Sequence, residues 1–174
     1  MNQKNSLGLD NCFKDLENPI ELFKEWFNEA KKTEINDPNV FTLATADANG
    51  IPSARMILLK DYSQNGFIFY TNSNSKKGKS ISENNNIALN FHWKTQNRQI
   101  RIEGQAKIVS AEDADTYFSS RPRGSQIGAW SSNQSAELTA RSELTDNINK
   151  FEIKYEIFST HLNCRIWFYR KTSY

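Results

Sequence analysis

Two Asn-Gly pairs, each placed between stretches of strand-forming residues, constrain the fold of this chain more than any other feature. Asn49–Gly50 lies between residues 39–46 (NVFTLATA) and 53–60 (SARMILLK). Asn65–Gly66 then joins this second stretch to residues 67–71 (FIFYT). Both members of an Asn-Gly pair tolerate the positive φ angles of a tight hairpin turn. The pattern therefore predicts three antiparallel strands in a meander.

Further periodic segments complete the predicted architecture. Strands are also predicted at residues 87–93, 98–109 and 164–170. Helices are predicted at residues 19–32 with Asn18 as the N-cap, at 76–84, from Ser110 through Tyr117 and Phe118, and at 136–157. Five or six antiparallel strands with helices around them indicate a mainly β (β+α) chain that forms a small closed or partly closed barrel.

The composition is that of one globular domain spanning residues 1–174. Hydrophobic residues make up 37% and aromatic residues 12%, which suits a packed core at this length. The formal charge of +2 is too mild for a nucleic-acid-binding protein, and no apolar run reaches the roughly 18–20 residues of a membrane span. With two cysteines and a polar start, a cytoplasmic location is the simplest expectation. Residues 1–17 are expected to form a loose N-terminal arm.

The sequence offers little acid–base or metal chemistry of its own. The two histidines, His92 and His161, have no metal-ligand spacing. The chain also lacks a nucleophile elbow, a Walker loop and the glycine pattern of a dinucleotide-binding fold. An enzyme built on this chain is therefore expected to use a bound cofactor.

Two strand segments carry charges that could bind an anion. In residues 55–60 (RMILLK), charges flank an apolar strand, and strict alternation puts Arg55 and Lys60 on opposite faces. A shared ligand would then need a twist or a bulge, and the alternative is two side chains that snorkel from a core strand. Arg98–Gln99 lies early in another strand and could also contact an anion. The alternative is that these two residues belong to an ordinary strand edge with no ligand.

Two turn segments make a stronger case for phosphate. Residues 73–79 (SNSKKGK) open a helix with lysines in its first turn, where positive charge opposes the helix dipole. A bound phosphate would remove that conflict, and a solvated lysine patch is the alternative. In residues 120–130 (SRPRGSQIGAW), Arg121, Arg123 and Ser125 flank a proline–glycine turn and are suited to phosphate, unless the turn is merely solvated.

Taken together, these motifs resemble the pyridoxamine (pyridoxine) 5′-phosphate oxidases, which are FMN enzymes with an antiparallel split β-barrel. The resemblance runs from about residue 9 to about residue 155 and rests on RMILLK, FYTNSNSKK, RQI and YFSSRPRGSQIGAWSSNQS. It implies oxidation of pyridoxamine or pyridoxine 5′-phosphate to pyridoxal 5′-phosphate, with oxygen as the acceptor. It also implies a homodimer with FMN at the subunit interface.

The resemblance also assigns site residues. FMN would be bound by Arg55, Met56, Ile57, Leu58, Leu59, Lys60, Tyr70, Thr71, Ser75, Lys76, Lys77, Gln99, Gln134 and Ser135, with Gln134 and Ser135 reaching it from the partner subunit. The substrate phosphate would be bound by Lys60, Tyr117, Arg121 and Ser125. Arginine is common in the family at position 76, and lysine keeps the charge but loses the bidentate fork.

After Tyr155 the resemblance ends, and residues 156–174 form an atypical tail. The family continues with Trp-x-Gly, Glu-Phe-Trp and Arg-Leu-His-Asp-Arg segments that complete the flavin and substrate sites, and none of these is found here. No role is assigned to His161 or Arg165, so the catalytic residues are unknown. We expect FMN binding with low or absent oxidase activity, and we hypothesise a shifted reading frame, a truncation or a natural short subfamily. The alternatives are a split-barrel flavin oxidoreductase with another substrate and a non-catalytic protein that binds FMN or pyridoxal 5′-phosphate.

Overall fold

The computed structural model describes residues 18–154 and the backbone of residues 166–170. The loose arm predicted at residues 1–17 lies outside the described residues, as does the rest of the 156–174 tail.

The described strands form a closed antiparallel barrel in the order β1-β2-β3-β6-β5-β4. Their bounds are β1 (Val40–Ala46), β2 (Pro52–Ser63), β3 (Gly66–Tyr70), β4 (Asn86–Trp93), β5 (Arg98–Ile108) and β6 (Ile166–Arg170). Strands β1 to β5 form a curled sheet with β3 and β5 at its edges, and the backbone of β6 pairs with both. This confirms the predicted fold class and the strand predicted in the tail.

The described helices are α1 (Pro19–Thr33), α2 (Lys76–Glu83), α3 (Ala111–Ser120), α4 (Arg123–Ser131) and α5 (Arg141–Lys154), with a 3-10 turn at Lys94–Gln96. No helix in the described part of the chain has both the length and the apolar character needed to cross a membrane.

The two Asn-Gly turns join the strands as predicted. Gly50 and Gly66 have φ angles of 80° and 136°, which side chains disfavour. Asp47 Oδ1 accepts hydrogen bonds of 2.9 Å from the backbone N–H groups of Asn49 and Ile51 and so fixes the first turn. The turn aligns β1 with β2, and Ala46 lies opposite Pro52.

Helix α1 covers one end of the barrel with an aromatic cluster. Asn18 Oδ1 accepts a hydrogen bond from Ile20 N at 2.9 Å, which confirms the predicted N-cap. Phe23 and Phe27 are 3% and 5% exposed, and the Phe23 ring lies 4.9 Å from that of Phe67. This packing stabilises the barrel at the end where α1 lies.

Strand β2 pairs with β1 along its first part and with β3 along its last part. Residues 52–58 pair with β1, whereas the pairing with β3 begins at Leu59. Leu59 lies opposite Phe69 and Asp61 opposite Ile68, so Lys60 is the extra residue of a β-bulge. Along residues 53–58, no described strand pairs with the edge of β2 that faces away from β1.

One helix was not predicted, and another was predicted with the wrong start. The predicted turn around Gly124 is the start of α4, because Pro122, with φ of −53°, accepts hydrogen bonds from Ser125 N and Gln126 N through its carbonyl. The helix predicted at residues 136–157 begins only at Arg141. Ser135 has a φ of 69° and Ala136 N donates to Asn133 O, so a turn occupies the region just before residue 137. Residues 155–157 lie outside the described residues.

Candidate functional site

A cavity of about 1260 Å³ opens along the unpaired edge of β2. It is closed by the end of β3, the start of α2, parts of α3 and α4, and the segment after α4. An exposed strand edge presents its backbone and side chains from both faces of the strand. The β-bulge at Lys60 also interrupts the strict alternation along β2, which explains how Arg55 and Lys60 line one cavity.

Most of the predicted site residues meet in this cavity. They are Arg55, Met56, Ile57, Leu58, Lys60, Tyr70, Thr71, Lys76, Lys77, Tyr117, Arg121, Ser125, Gln134 and Ser135. Three others are not among the described residues that line it. Leu59 is 3% exposed and belongs to the barrel core, whereas Ser75 is buried as the N-cap of α2. Gln99 is exposed on β5, where its Nε2 donates to Asn90 Oδ1 at 2.9 Å.

The charge of the cavity lining is entirely positive among the described residues. The cations are Arg55, Lys60, Lys76, Lys77 and Arg121. No aspartate, glutamate or histidine belongs to the described lining. A cavity of this kind favours ligands that carry several negative charges.

Neutral groups of β1 and β2 hold Arg55 at one end of the cavity. Its Nη1 donates to Leu43 O at 3.1 Å and to Thr45 Oγ1 at 2.9 Å, and its Nη2 donates to Ser53 Oγ. Burial lowers the pKa of Arg55 from its ordinary value. The guanidinium is therefore fixed in place by acceptors that do not neutralise it.

Lys77 lies near the partly buried Arg55 and adds a cation that is itself buried. Its Nζ donates to Gln134 Oε1 at 2.9 Å and lies 3.4 Å from Ser75 Oγ. Burial, followed by the charge of Arg55, lowers the pKa of Lys77. Neither cation forms an ion pair with a carboxylate of the described residues. A phosphate group would supply the missing negative charge, so this end of the cavity fits one.

The start of α2 reaches this end of the cavity through an unusually close backbone contact. Ser75 caps the helix by accepting a hydrogen bond from Gly78 N at 3.3 Å. A Cβ atom on Gly78 would lie 2.5 Å from both Asn72 O and Ser73 O. Only glycine fits there. Sequence reasoning missed this residue, although a glycine in the first turn of a lysine-rich helix was a usable signal.

Aromatic and polar side chains form the other end of the cavity. The rings of Tyr70 and Tyr117 are stacked, with centroids 3.4 Å apart and planes inclined by 4°. Lys60 Nζ lies 5.8 Å from the centre of the Tyr117 ring. Arg121 and Ser125 line the same region from the corner between α3 and α4. Donors and cations suited to a second phosphate thus line the same cavity as Arg55.

Two arginines flagged by the sequence have structural roles. Arg98 forms an ion pair with Glu29 and lies 4.7 Å from the centre of the Trp26 ring. Arg123 lies 5.7 Å from the centre of the Trp130 ring and is not among the described residues lining the cavity. Among the described residues, no group of three or more His, Cys, Asp or Glu side chains is placed to hold a metal ion.

Sequence comparison supports the assignment drawn from this geometry. The family described as Pyridoxamine 5′-phosphate oxidase matches residues 27–155. The pyridoxine/pyridoxamine 5′-phosphate oxidase of Pelagibacter ubique (strain HTCC1062) is 54% identical over 155 residues, which are 89% of this chain and 74% of that protein. The protein of the same name from Bartonella quintana (strain Toulouse) is 48% identical over 153 residues, covering 88% of this chain and 74% of that protein.

Solved structures agree with the fold. PhzG from Burkholderia lata 383, crystallised with tetrahydrophenazine-1-carboxylic acid, is 25% identical with a TM-score of 0.83, covering 90% of this chain and 78% of that one. A pyridoxamine 5′-phosphate oxidase-related, FMN-binding protein from Nostoc punctiforme has a TM-score of 0.65 at 12% identity, over 91% of this chain and 82% of that one, which supports the fold alone. With its split barrel, its cationic cavity and these matches, the chain belongs to the pyridoxamine 5′-phosphate oxidase family of oxidoreductases.

Proposed function

We propose that this chain binds FMN and oxidises pyridoxamine or pyridoxine 5′-phosphate to pyridoxal 5′-phosphate, with oxygen as the electron acceptor. One observation carries the proposal: the described lining of a single cavity holds five cations and no carboxylate. Arg55 and Lys77 lie close together, whereas Lys60 lies beside the Tyr117 ring, which suits a cofactor and a substrate that each carry a phosphate. The names of the relatives point to the same substrates.

In this proposal the end of the cavity with Arg55, Lys76 and Lys77 holds the FMN phosphate. The first turn of α2 adds backbone N–H groups, which favour an anion at a helix N-terminus. The cavity volume of about 1260 Å³ exceeds the roughly 300–1,000 Å³ of a typical ligand pocket, which leaves room for a cofactor and a substrate together.

The substrate phosphate is assigned to the other end, where Lys60, Tyr117, Arg121 and Ser125 supply its donors. FMN held in the cavity would supply the redox chemistry of the reaction, for which oxygen is the final electron acceptor. The residues of this chain hold the phosphate and so orient the substrate ring. No proton transfer is assigned to a described side chain.

We also propose a homodimer. Met56 and Leu58 lie beside the cavity and are 63% and 40% exposed, which leaves apolar surface for a partner to cover. Within one chain, Gln134 already contacts Lys77. Delivery of Gln134 and Ser135 from the partner subunit stays a prediction, as does a contact between Gln99 and FMN. Sedimentation velocity tests the dimer, and a monomer at micromolar concentration with FMN bound would contradict it.

A substrate panel tests the proposed reaction against its rivals. FMN-loaded protein is given pyridoxamine 5′-phosphate, pyridoxine 5′-phosphate and unphosphorylated pyridoxamine, and pyridoxal products are followed by absorbance. We expect the phosphate esters to be preferred. The resemblance to PhzG favours, as a second candidate, an oxidoreductase for a carboxylated substrate. Turnover of a carboxylated ring compound with no turnover of the B6 phosphates would support that candidate.

A further inference from the structure

A buried amide organises the corner between α3 and α4. Gln126 is only 5% exposed, although it lies one residue from the cavity-lining Ser125. Its Nε2 donates to Phe118 O at 3.2 Å, to Ser119 O at 3.2 Å and to Arg121 O at 2.9 Å. One side chain thus connects α4 to three backbone carbonyls at the end of α3.

The geometry of the chain explains why an amide is needed there. The last carbonyls of a helix have no partner within the helix, and α3 ends at Ser120. Pro122 follows two residues later and has no N–H group to offer them. Arg121 N reaches Phe118 O at 3.2 Å, and Gln126 supplies the further donors from the next helix. Because all three partners are carbonyls, the Gln126 side chain must present its NH₂ group to them.

The same corner carries the side chains assigned to the substrate phosphate. Tyr117 lies in the last turns of α3, Arg121 follows its end, and Ser125 lies in the first turn of α4. Gln126 donates to the carbonyls of Ser119 and Arg121, the residues on either side of Ser120. We propose that Gln126 is a positioning residue that holds Tyr117, Arg121 and Ser125 in the relative positions needed to bind the substrate phosphate. The inference rests on the proposed function of this site.

A positioning role for Gln126 affects binding of the substrate phosphate and FMN binding differently, whereas a general structural role affects both. FMN is assigned to the part of the cavity around Arg55 and Lys77, where β1 and β2 hold Arg55 and the Nζ of Lys77 in α2 donates to Gln134 beyond the end of α4. The hydrogen bonds of Gln126 go to the end of α3 and to Arg121 and do not involve these residues. Loosening the corner between α3 and α4 is therefore expected to weaken binding of the substrate phosphate and to leave FMN binding unchanged. A residue that merely stabilised the fold would weaken both together.

Gln126→Met tests this inference, since it keeps the length of the side chain and removes its donors. We expect the KM for pyridoxamine 5′-phosphate to rise roughly tenfold or more, the equivalent of losing one good hydrogen-bonded contact to the phosphate. The kcat and the FMN dissociation constant should stay within about twofold of wild type. Absorbance titration with pyridoxal 5′-phosphate gives a second readout, because it measures binding to this corner without turnover.

Two further variants complete the test. Gln105→Met is the control, because Gln105 is exposed on β5 and away from the described lining, and it should behave as wild type. Gln126→Asn keeps a neutral amide on a side chain that is one methylene shorter, and it keeps the inference testable if the Met variant does not fold. The shorter amide should not reach all three carbonyls, so we expect the KM to rise in the same direction.

The possible failures are distinguishable. If wild-type protein binds no pyridoxal 5′-phosphate, the proposed function fails and this inference fails with it. If the wild type binds it and the Gln126 variants bind it equally well, only the role of Gln126 is overturned. A parallel loss of FMN affinity and substrate affinity would likewise overturn it, because Gln126 would then act on the whole fold.

Discussion

The glycine at the start of α2 offers a sharp test of the cavity's geometry. In Gly78→Ala, the new Cβ atom would lie 2.5 Å from two backbone carbonyl oxygens, whereas real contacts of this kind begin at about 3.0 Å. Either the helix start or the preceding turn must move by about half an ångström or more. Neither oxygen belongs to a flexible side chain, so the movement includes the backbone that positions Ser75 and Lys77.

Gly124→Ala is the matched control for the loss of stability expected in Gly78→Ala. Gly124 also lies in the first turn of a helix, and a Cβ atom there would meet nothing within 4 Å. Both substitutions gain about 1 kcal/mol from alanine's higher helix propensity, so their difference isolates the clash. Overpacking costs about 1–3 kcal/mol, and 1 kcal/mol shifts Tm by about 2–4 °C in a chain of this length. We therefore expect the Gly78→Ala protein to melt about 2–12 °C below the Gly124→Ala protein.

Thermal unfolding of the FMN-free proteins, followed by circular dichroism, measures this difference without assuming any ligand. Fluorescence titration with FMN then measures the effect on the site. We expect the dissociation constant to rise about tenfold in Gly78→Ala and to stay unchanged in Gly124→Ala. Equal melting temperatures and equal FMN affinities in the two variants would refute the close contact between α2 and the turn at Asn72.

Three further changes test individual contacts. Lys77→Met should weaken FMN binding about 10- to 100-fold, the loss of a hydrogen bond to a charged group, as measured by fluorescence titration; unchanged affinity would count against the phosphate site. Because burial and Arg55 lower the pKa of Lys77 below its ordinary 10.5, the folded protein binds fewer protons than the unfolded chain between the two values. The free energy of unfolding of FMN-free protein should then rise with pH in that window in urea titrations, and this rise should be smaller in Lys77→Met; identical pH profiles would contradict the shift. Thr45→Val removes an acceptor 2.9 Å from Arg55 Nη1 but keeps the branched shape of the side chain. We therefore expect FMN affinity to fall about 3- to 10-fold with little change in Tm. A large fall in Tm with unchanged FMN affinity would show instead that Thr45 acts through packing. Asn18→Ala removes the N-cap of α1 and should cost about 1 kcal/mol in urea unfolding without affecting FMN affinity; no loss of stability would show that the cap contributes nothing.

Local turn chemistry made the barrel predictable. The Asn-Gly pairs fix the turns that flank β2, and the alternation along β1 and β4 marks their inner faces without further information. Helix α4 was missed because a Pro-Arg-Gly run is as compatible with a turn as with a helix. The hydrogen bonds from Ser125 N and Gln126 N to Pro122 O decide between the two, and they depend on how this corner packs.

The sequence predicted most of the residues that line the cavity, but it did not predict how they are arranged in space. Strict alternation in the sequence put Arg55 and Lys60 on opposite faces of β2, and the β-bulge at Lys60, which the sequence does not mark, allows both to line one cavity. No local sequence pattern indicates a long-range contact such as the one between Lys77 and Gln134. The same is true of Gln126, whose three partners are backbone carbonyls that any sequence would supply.

The central claim is that this cavity oxidises a B6 phosphate with the help of FMN, and one measurement tests it most directly. Purified protein is loaded with FMN, and pyridoxal 5′-phosphate formed from pyridoxamine 5′-phosphate is followed in air, with unphosphorylated pyridoxamine in parallel. We predict FMN-dependent, saturable turnover that is slower than that of the Pelagibacter relative and clearly favours the phosphate ester. Folded, FMN-loaded protein that forms no pyridoxal 5′-phosphate would contradict the claim and leave a flavin-binding protein without this activity.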